Sequence, residues 1–217
     1  MENLYILAKG MSMSACPKRE DIGANDEMWG LNGVYRDRPD IDKLFILHDI
    51  RTVALAEDHN VINNLNDLDV DIYTNTPVHP LDRNICFPAE EVANRFGIEY
   101  FLNVICWMIA YAITQKPKHI FIYGADYVYG VDINEKACTE WWLGVAFGMG
   151  IGITIPDGSS LLKPPDMRQP YYGYIIDRKE PDGLLNILRP HLKNNNTEFA
   201  KEYELVPLDR EEARVDL

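Results

Sequence analysis

The segment from Glu99 to Gly130 constrains the fold more than any other. It reads EYFLNVICWMIAYAITQ, then KPK, then HIFIY, then GADYVYG. The first part, Glu99 to Gln115, is apolar nearly all round and sits between Gly97 and Pro117. That pattern predicts a helix packed on a sheet and covered by its neighbours. Its apolar run, Phe101 to Ile113, falls well short of the roughly 20 residues that span a bilayer. The second part, His119 to Tyr123, predicts a buried strand closed by Gly124-Ala125-Asp126. A helix feeding a strand in this way is half of a βαβ unit.

The rest of the chain repeats the alternation. Strands are expected at Asn3 to Ala8, Glu27 to Leu31, Lys43 to Leu47, Asp69 to Thr74 and Gly152 to Ile155. Helices are expected at Arg51 to His59, at Pro88 to Arg95, where Pro and early acids mark a first turn, and at Asn134 to Met149. The segment Lys9 to Asp21, rich in Gly, Ser and Pro, is expected to be a loop. Alternating strands and helices predict an α/β protein with a Rossmann-like, doubly wound, mostly parallel sheet in three αβα layers. After Leu162 the composition turns to Pro and Tyr, then to a polar tail. Residues 1–175 are expected to form the Rossmann-like domain. Residues 176–217 are a C-terminal extension whose end is a surface helix, a homo-oligomer arm or a frayed tail.

Charge narrows the partners. The 217 residues carry 34 Asp and Glu against 21 Lys and Arg, a formal net charge of −13. That disfavours a basic nucleic-acid-binding module. The N-terminus has no basic region and no long apolar run, so neither a signal peptide nor a membrane span is expected. Cys16, Cys86, Cys106 and Cys138 include no CxxC pair. They are expected to be reduced thiols in a cytoplasmic protein.

In an open parallel sheet, ligands bind outside the carboxyl ends of the strands. That rule selects six segments: Lys9 to Ser14, Asn32 to Tyr35, His48-Asp49, Asn75 to His79, Gly124 to Tyr129 and Asp157 to Ser160. Gly10-Met11-Ser12-Met13-Ser14 is either a phosphate cradle built from backbone N–H groups and Ser hydroxyls or a turn with exposed serines. It matches neither GxGxxG nor a P-loop. Asn32 offers a donor and an acceptor to a base or sugar edge, or belongs to an Asn-Gly turn. His48-Asp49 is the best proton-transfer pair, since an imidazole titrates near ~6.5; the alternative is a strand-end cap. Asp126 either faces the cleft or caps the following turn. Tyr127 and Tyr129 beside it can stack on a base or bond a phosphate. No metal-ligand set and no cofactor is expected.

The stretch Glu99 to Gly130 resembles the core of bacterial family-forty-two sialyltransferases. There an apolar helix precedes a strand ending in Gly-x-Asp-Tyr/Phe. The amino-terminal strand with its Gly and Ser loop, and Asn32 after strand two, are similar to that family's nucleotide-contacting segments. A set of small phage-encoded proteins shares the order Trp29-Gly30-Leu31-Asn32, His48-Asp49, Gly124-Ala125-Asp126 and Glu140-Trp141-Trp142-Leu143-Gly144. The resemblance implies a metal-independent glycosyltransferase fold with a nucleotide-sugar as donor substrate. By position, Gly10, Ser12, Ser14 and Asn32 would contact the nucleotide, Gly124 would lie beside it, and Tyr127 and Tyr129 would meet the donor phosphates. His48, Asp49 and Asp126 are the catalytic candidates. The family's later lid His has no counterpart, because no His lies between His119 and His191. A phage source would place the protein in the host cytoplasm and admit a hydroxymethylated base in DNA as acceptor.

Two other readings stay open. One is a non-catalytic protein that binds or sequesters a nucleotide. The other is a metal-dependent phosphotransfer or phosphohydrolase enzyme built on His48-Asp49.

Overall fold

A computed structural model describes residues 1–50, 60–127 and 133–163. The expected helix at Arg51 to His59, Tyr129, the boundary at 175/176 and the C-terminal extension lie outside the described residues. The residues Met1–Lys163 belong to one compact unit.

Among the described residues seven strands run in chain order: β1 (Asn3–Leu7), β2 (Glu27–Leu31), β3 (Lys43–Ile46), β4 (Asp71–Thr74), β5 (Asn84–Cys86), β6 (His119–Tyr123) and β7 (Gly152–Thr154). Four α-helices accompany them among the described residues: α1 (Val61–Asn66), α2 (Ala89–Phe96), α3 (Val104–Gln115) and α4 (Ile133–Gly148). The described residues also include three short 3-10 helices: Met11–Ala15 after β1, Arg19–Asp21 before β2 and Asn32–Arg36 after β2. The sheet order is β5-β4-β3-β2-β1-β6-β7, and every pairing is parallel. The fold is the α/β, Rossmann-like one that the sequence predicts.

Strand residues alternate between two cores, as a two-residue side-chain period requires. Leu4, Ile6, Trp29, Leu31, Phe45, Ile120 and Ile122 face α2, α3 and α4. Tyr5, Leu7, Met28, Leu44, Ile46 and Ile72 face the opposite side, with Val34 and Tyr35 of the third 3-10 helix and Val61 and Leu65 of α1. Helix α3 buries eight of its twelve residues, so it is covered on most sides, as its uniform apolarity demands.

Three local features differ from expectation. Helix α3 begins at Val104, not Glu99, because Asn103 is its N-cap: extended at φ −154°, it accepts the Cys106 N–H at 2.9 Å. Side-chain capping of this kind closes a helix against further extension. Strand β5 and helix α1 had no counterpart in the expected elements. Both are short, and β5 is an edge strand with Ile85 and Cys86 exposed, so neither carries a strong apolar pattern.

Candidate functional site

The chain lays down β1 through β5 outward on one side of β1, then returns to place β6 and β7 on the other. The switch point therefore falls at the carboxyl ends of β1 and β6, the crevice where ligands bind in open α/β sheets.

The loops there are tied tightly. The Ala8 N–H donates to the Tyr123 carbonyl and the Gly10 N–H to the Gly124 carbonyl, both at 2.8 Å. Gly124 has φ +75°, and a Cβ there would lie 2.0 Å from the Ala8 carbonyl oxygen. Only glycine fits. A Cβ on Gly10 would meet the Asp126 carboxylate and the Gly124 oxygen at 2.5 Å.

Ser12 and Asp126 close the crossing. The Ser12 N–H donates to Asp126 Oδ2 at 2.9 Å, the Ser12 hydroxyl donates to Asp126 Oδ1, and the Gly124 N–H donates to Ser12 Oγ at 2.8 Å. From the β7 side, Ser159 Oγ donates to the Ala125 carbonyl at 2.6 Å and the Ser160 N–H to the Asp126 carbonyl at 3.1 Å. The loops after β1, β6 and β7 are thus one fastened unit. Both oxygens of Asp126 are engaged by Ser12. Ser14 is exposed and bonds only locally, to the Met11 carbonyl at 2.9 Å.

Tyr127 turns into the helical layer. Its hydroxyl takes a hydrogen bond from Asn103 Nδ2 at 2.9 Å and shares one with Thr139 Oγ1 at 2.8 Å. Burial pushes its phenol well above the ordinary tyrosine range. Beneath it, Cys106 Sγ and Cys138 Sγ lie 3.1 Å apart as free thiols. Burial pushes the Cys106 thiol up to about 12.

The open cleft lies one step along the sheet, at the ends of β1, β2 and β3. It encloses about 320 Å3. Lys9 follows β1, Asn32 and Tyr35 follow β2, and His48 follows β3; all four line it, together with Arg36. Ile46, Ile50 and Val61 supply an apolar wall. Lys9 reaches over the turn at Gly33, where a Cβ would stand 3.2 Å from its Nζ. Lys9 and Arg36 are exposed, so an acidic protein presents cationic side chains at this mouth; His48 is exposed as well. Asn32 holds a left-handed backbone, φ +50°, which costs little for asparagine. Its Oδ1 is buried without a hydrogen-bond partner.

Of the residues expected at a site, Asn32 and His48 share this cleft. Asp49 follows His48 and is half-buried. Gly10, Ser12, Gly124 and Asp126 share the neighbouring latch. Lys9 and Tyr35 lie in the strand-end segments that the rule selects, but no role attaches to either residue from the sequence alone. The i, i+3 spacing of Asn32 and Tyr35 directly after a strand is the signal that points to Tyr35. Among the described residues no cluster of three or more His, Cys, Asp and Glu side chains is placed to hold a metal ion. No helix among them is long and apolar enough to cross a membrane.

No protein-family model matches the chain. No curated protein matches it. Among solved structures, it is similar to the sialyltransferase CstII from Campylobacter jejuni in complex with the substrate analogue CMP-3FNeuAc, at 14% identity and a TM-score of 0.46. That likeness covers 83% of this chain and 92% of the other. The same enzyme with cytidine-5'-monophosphate gives 12% identity and a TM-score of 0.45, over 83% and 92%. A point mutant of the enzyme gives 12% and 0.45, over 81% and 90%. The chain resembles the sialyltransferase fold at this low identity.

Proposed function

We propose that the protein is a glycosyltransferase-like enzyme that takes a nucleotide-sugar in the cleft between Lys9, Asn32 and His48. One observation carries the reading. A buried, unpartnered Asn32 oxygen belongs to the lining of an open cleft that Lys9 and His48 also line. A desolvated acceptor without a partner costs about 1–3 kcal/mol, and a polar ligand that donates to it recovers that cost. The apolar wall of Ile46, Ile50 and Val61 takes the flat face of a base or sugar ring. Lys9 answers phosphate charge.

In this reading the enzyme's own groups perform transfer without a metal. His48 accepts the proton of the acceptor hydroxyl as that oxygen attacks the anomeric carbon. The bond from that carbon to the leaving phosphate breaks, and Lys9 with the loop N–H groups offsets the charge that develops. Asp126 serves the site indirectly, by holding the loops after β1 and β6. The acceptor is a small hydroxylated molecule, which suits the net charge of −13. A hydroxymethylated base in DNA is the competing acceptor, and steep loss of turnover with salt would mark it.

The test combines binding and turnover. CMP-, UDP- and GDP-sugars are offered at millimolar concentration while the melting temperature is followed; a matching donor raises it by mass action. His48→Ala is expected to keep that shift and to lose transfer or donor hydrolysis. If all three donor classes leave the melting temperature unchanged, the reading is wrong. Binding without turnover in the native protein would make it a nucleotide-binding protein. One observation favours that second reading: both Asp126 oxygens are engaged by Ser12, and neither Asp126 nor Asp49 is among the residues lining the cleft.

A further inference from the structure

We infer that Tyr35 is a specificity residue: its hydroxyl, paired with Asn32 Oδ1, reads a ribose hydroxyl of the nucleotide, so the cleft selects a ribonucleotide over its 2′-deoxy counterpart. This rests on the nucleotide-sugar reading of the cleft.

Among the described residues, only two buried side-chain polar atoms lack a hydrogen-bond partner: Asn32 Oδ1 and Tyr35 Oη. Tyr35 is 6% exposed. Both residues belong to the same 3-10 helix, Asn32–Arg36, and both line the same cleft. Asn32 opens the turn with a left-handed backbone at φ +50° and Tyr35 lies three residues on. Buried polar atoms are paired in the great majority of cases. Two exceptions on one turn, both lining one cleft at the carboxyl ends of the strands, define a receptor for a ligand group.

The chemistry of the two atoms selects that group. Oδ1 of an amide only accepts, whereas a phenol hydroxyl donates as well as accepts. One ligand hydroxyl satisfies both at once: it donates to Asn32 Oδ1 and accepts from Tyr35 Oη. A phosphate or carbonyl oxygen has no proton for Asn32. An ammonium can donate to both atoms but leaves the Tyr35 O–H proton without an acceptor. A ribose hydroxyl meets both needs, its ring carbons suit Ile46, Ile50 and Val61, and its 5′-phosphate lies within the range of a long lysine such as Lys9. A site built around desolvated polar groups rejects an analogue lacking the matching hydroxyl far more strongly than an apolar pocket rejects a methylene.

The experiment measures CMP, UDP and GDP, each in ribo and 2′-deoxy form, by calorimetry and thermal shift on the native protein and on Tyr35→Phe. The native protein should bind the ribo form of its matching nucleotide at least about tenfold more tightly. Tyr35→Phe removes a hydroxyl that has no partner in the free protein, so its unliganded melting temperature should hold or rise. Its ribo preference should fall below about threefold. Equal affinity of the native protein for both forms overturns the inference, as does a Phe variant that keeps the preference or melts markedly lower without ligand. If none of the six probes binds the native protein, the nucleotide reading itself falls and takes this inference with it. Binding without discrimination removes the inference alone.

Discussion

Ser12 and Asp126, 114 positions apart in the chain, meet through two hydrogen bonds: the Ser12 N–H reaches Oδ2 and the Ser12 hydroxyl reaches Oδ1. The Gly124 N–H completes the arrangement by donating to Ser12 Oγ. The carboxylate therefore fastens the loop after β1 to the loop after β6, beside the cleft that Lys9, Asn32 and His48 line. Its position at the switch point is that of a ligand-facing residue. Its bonding is that of a latch.

Asp126→Ala strands the Ser12 N–H and hydroxyl together, and each buried orphan costs about 1–3 kcal/mol. The variant should lose about 2–4 kcal/mol in denaturant unfolding. Ser12→Ala should lose less, about 1–2 kcal/mol, because it keeps the backbone bond. The double variant should fall well short of the sum of the singles, as groups in one network do.

Gly124→Ala places a methyl against the backbone of Ala8 and forces φ +75° on a residue with a Cβ. It should cost about 3 kcal/mol or more, or prevent folding. Gly144 is the control. It is exposed in the middle of α4, with nothing within 4 Å of an added Cβ. Gly144→Ala should stabilise by about 0.5–1 kcal/mol. Paired melting curves read both.

The Arg38–Asp40 pair sets an acid limit. Hydrogen bonds from the Arg38 guanidinium hold the Asp40 carboxyl down to about 2, from an ordinary 3.8. The depressed value means that the folded state binds this proton less readily than the unfolded chain. The pair's contribution is full above pH ~4 and is lost as pH falls toward 2. It amounts to at most about 2 kcal/mol, less screening, because Asp40 is 31% exposed. Asp40→Asn should flatten stability against pH in that window and leave it unchanged in slope at neutral pH.

Thiol chemistry should distinguish the four cysteines. Cys86 is exposed, whereas Cys16, Cys106 and Cys138 are buried. Burial raises the Cys16 thiol, and the Cys106 thiol reaches about 12. A thiol-disulfide reagent should titrate about one group quickly in the native protein and all four after unfolding.

The sheet was largely readable from sequence, because its strands are continuous apolar runs closed by Gly, Asn or Asp. Strands β2 and β6 begin and end where the pattern places them, at Glu27–Leu31 and His119–Tyr123. The edge was not readable, since Asn84-Ile85-Cys86 is too short and too polar to show a period. Helix α3 was placed but started early, because Tyr100 and Phe101 extend the apolar run before the cap at Asn103. At the site, the strand-end rule gathered Asn32, His48 and Asp126 correctly to one end of the sheet. It could not separate cleft from latch. That distinction depends on Ser12 meeting Asp126 across 114 positions, a contact that no local pattern encodes. The hydroxyl of Tyr127 is likewise turned inward by partners on α4 and at Asn103.

The most direct test of the central claim is the structure of the protein crystallised with its best-binding nucleotide-sugar. The nucleotide should lie across the ends of β1, β2 and β3, with its ribose at Asn32 and Tyr35, its phosphate within reach of Lys9, and the anomeric carbon facing His48. A nucleotide bound elsewhere on the molecule, or a cleft that stays empty at saturating ligand, would contradict it.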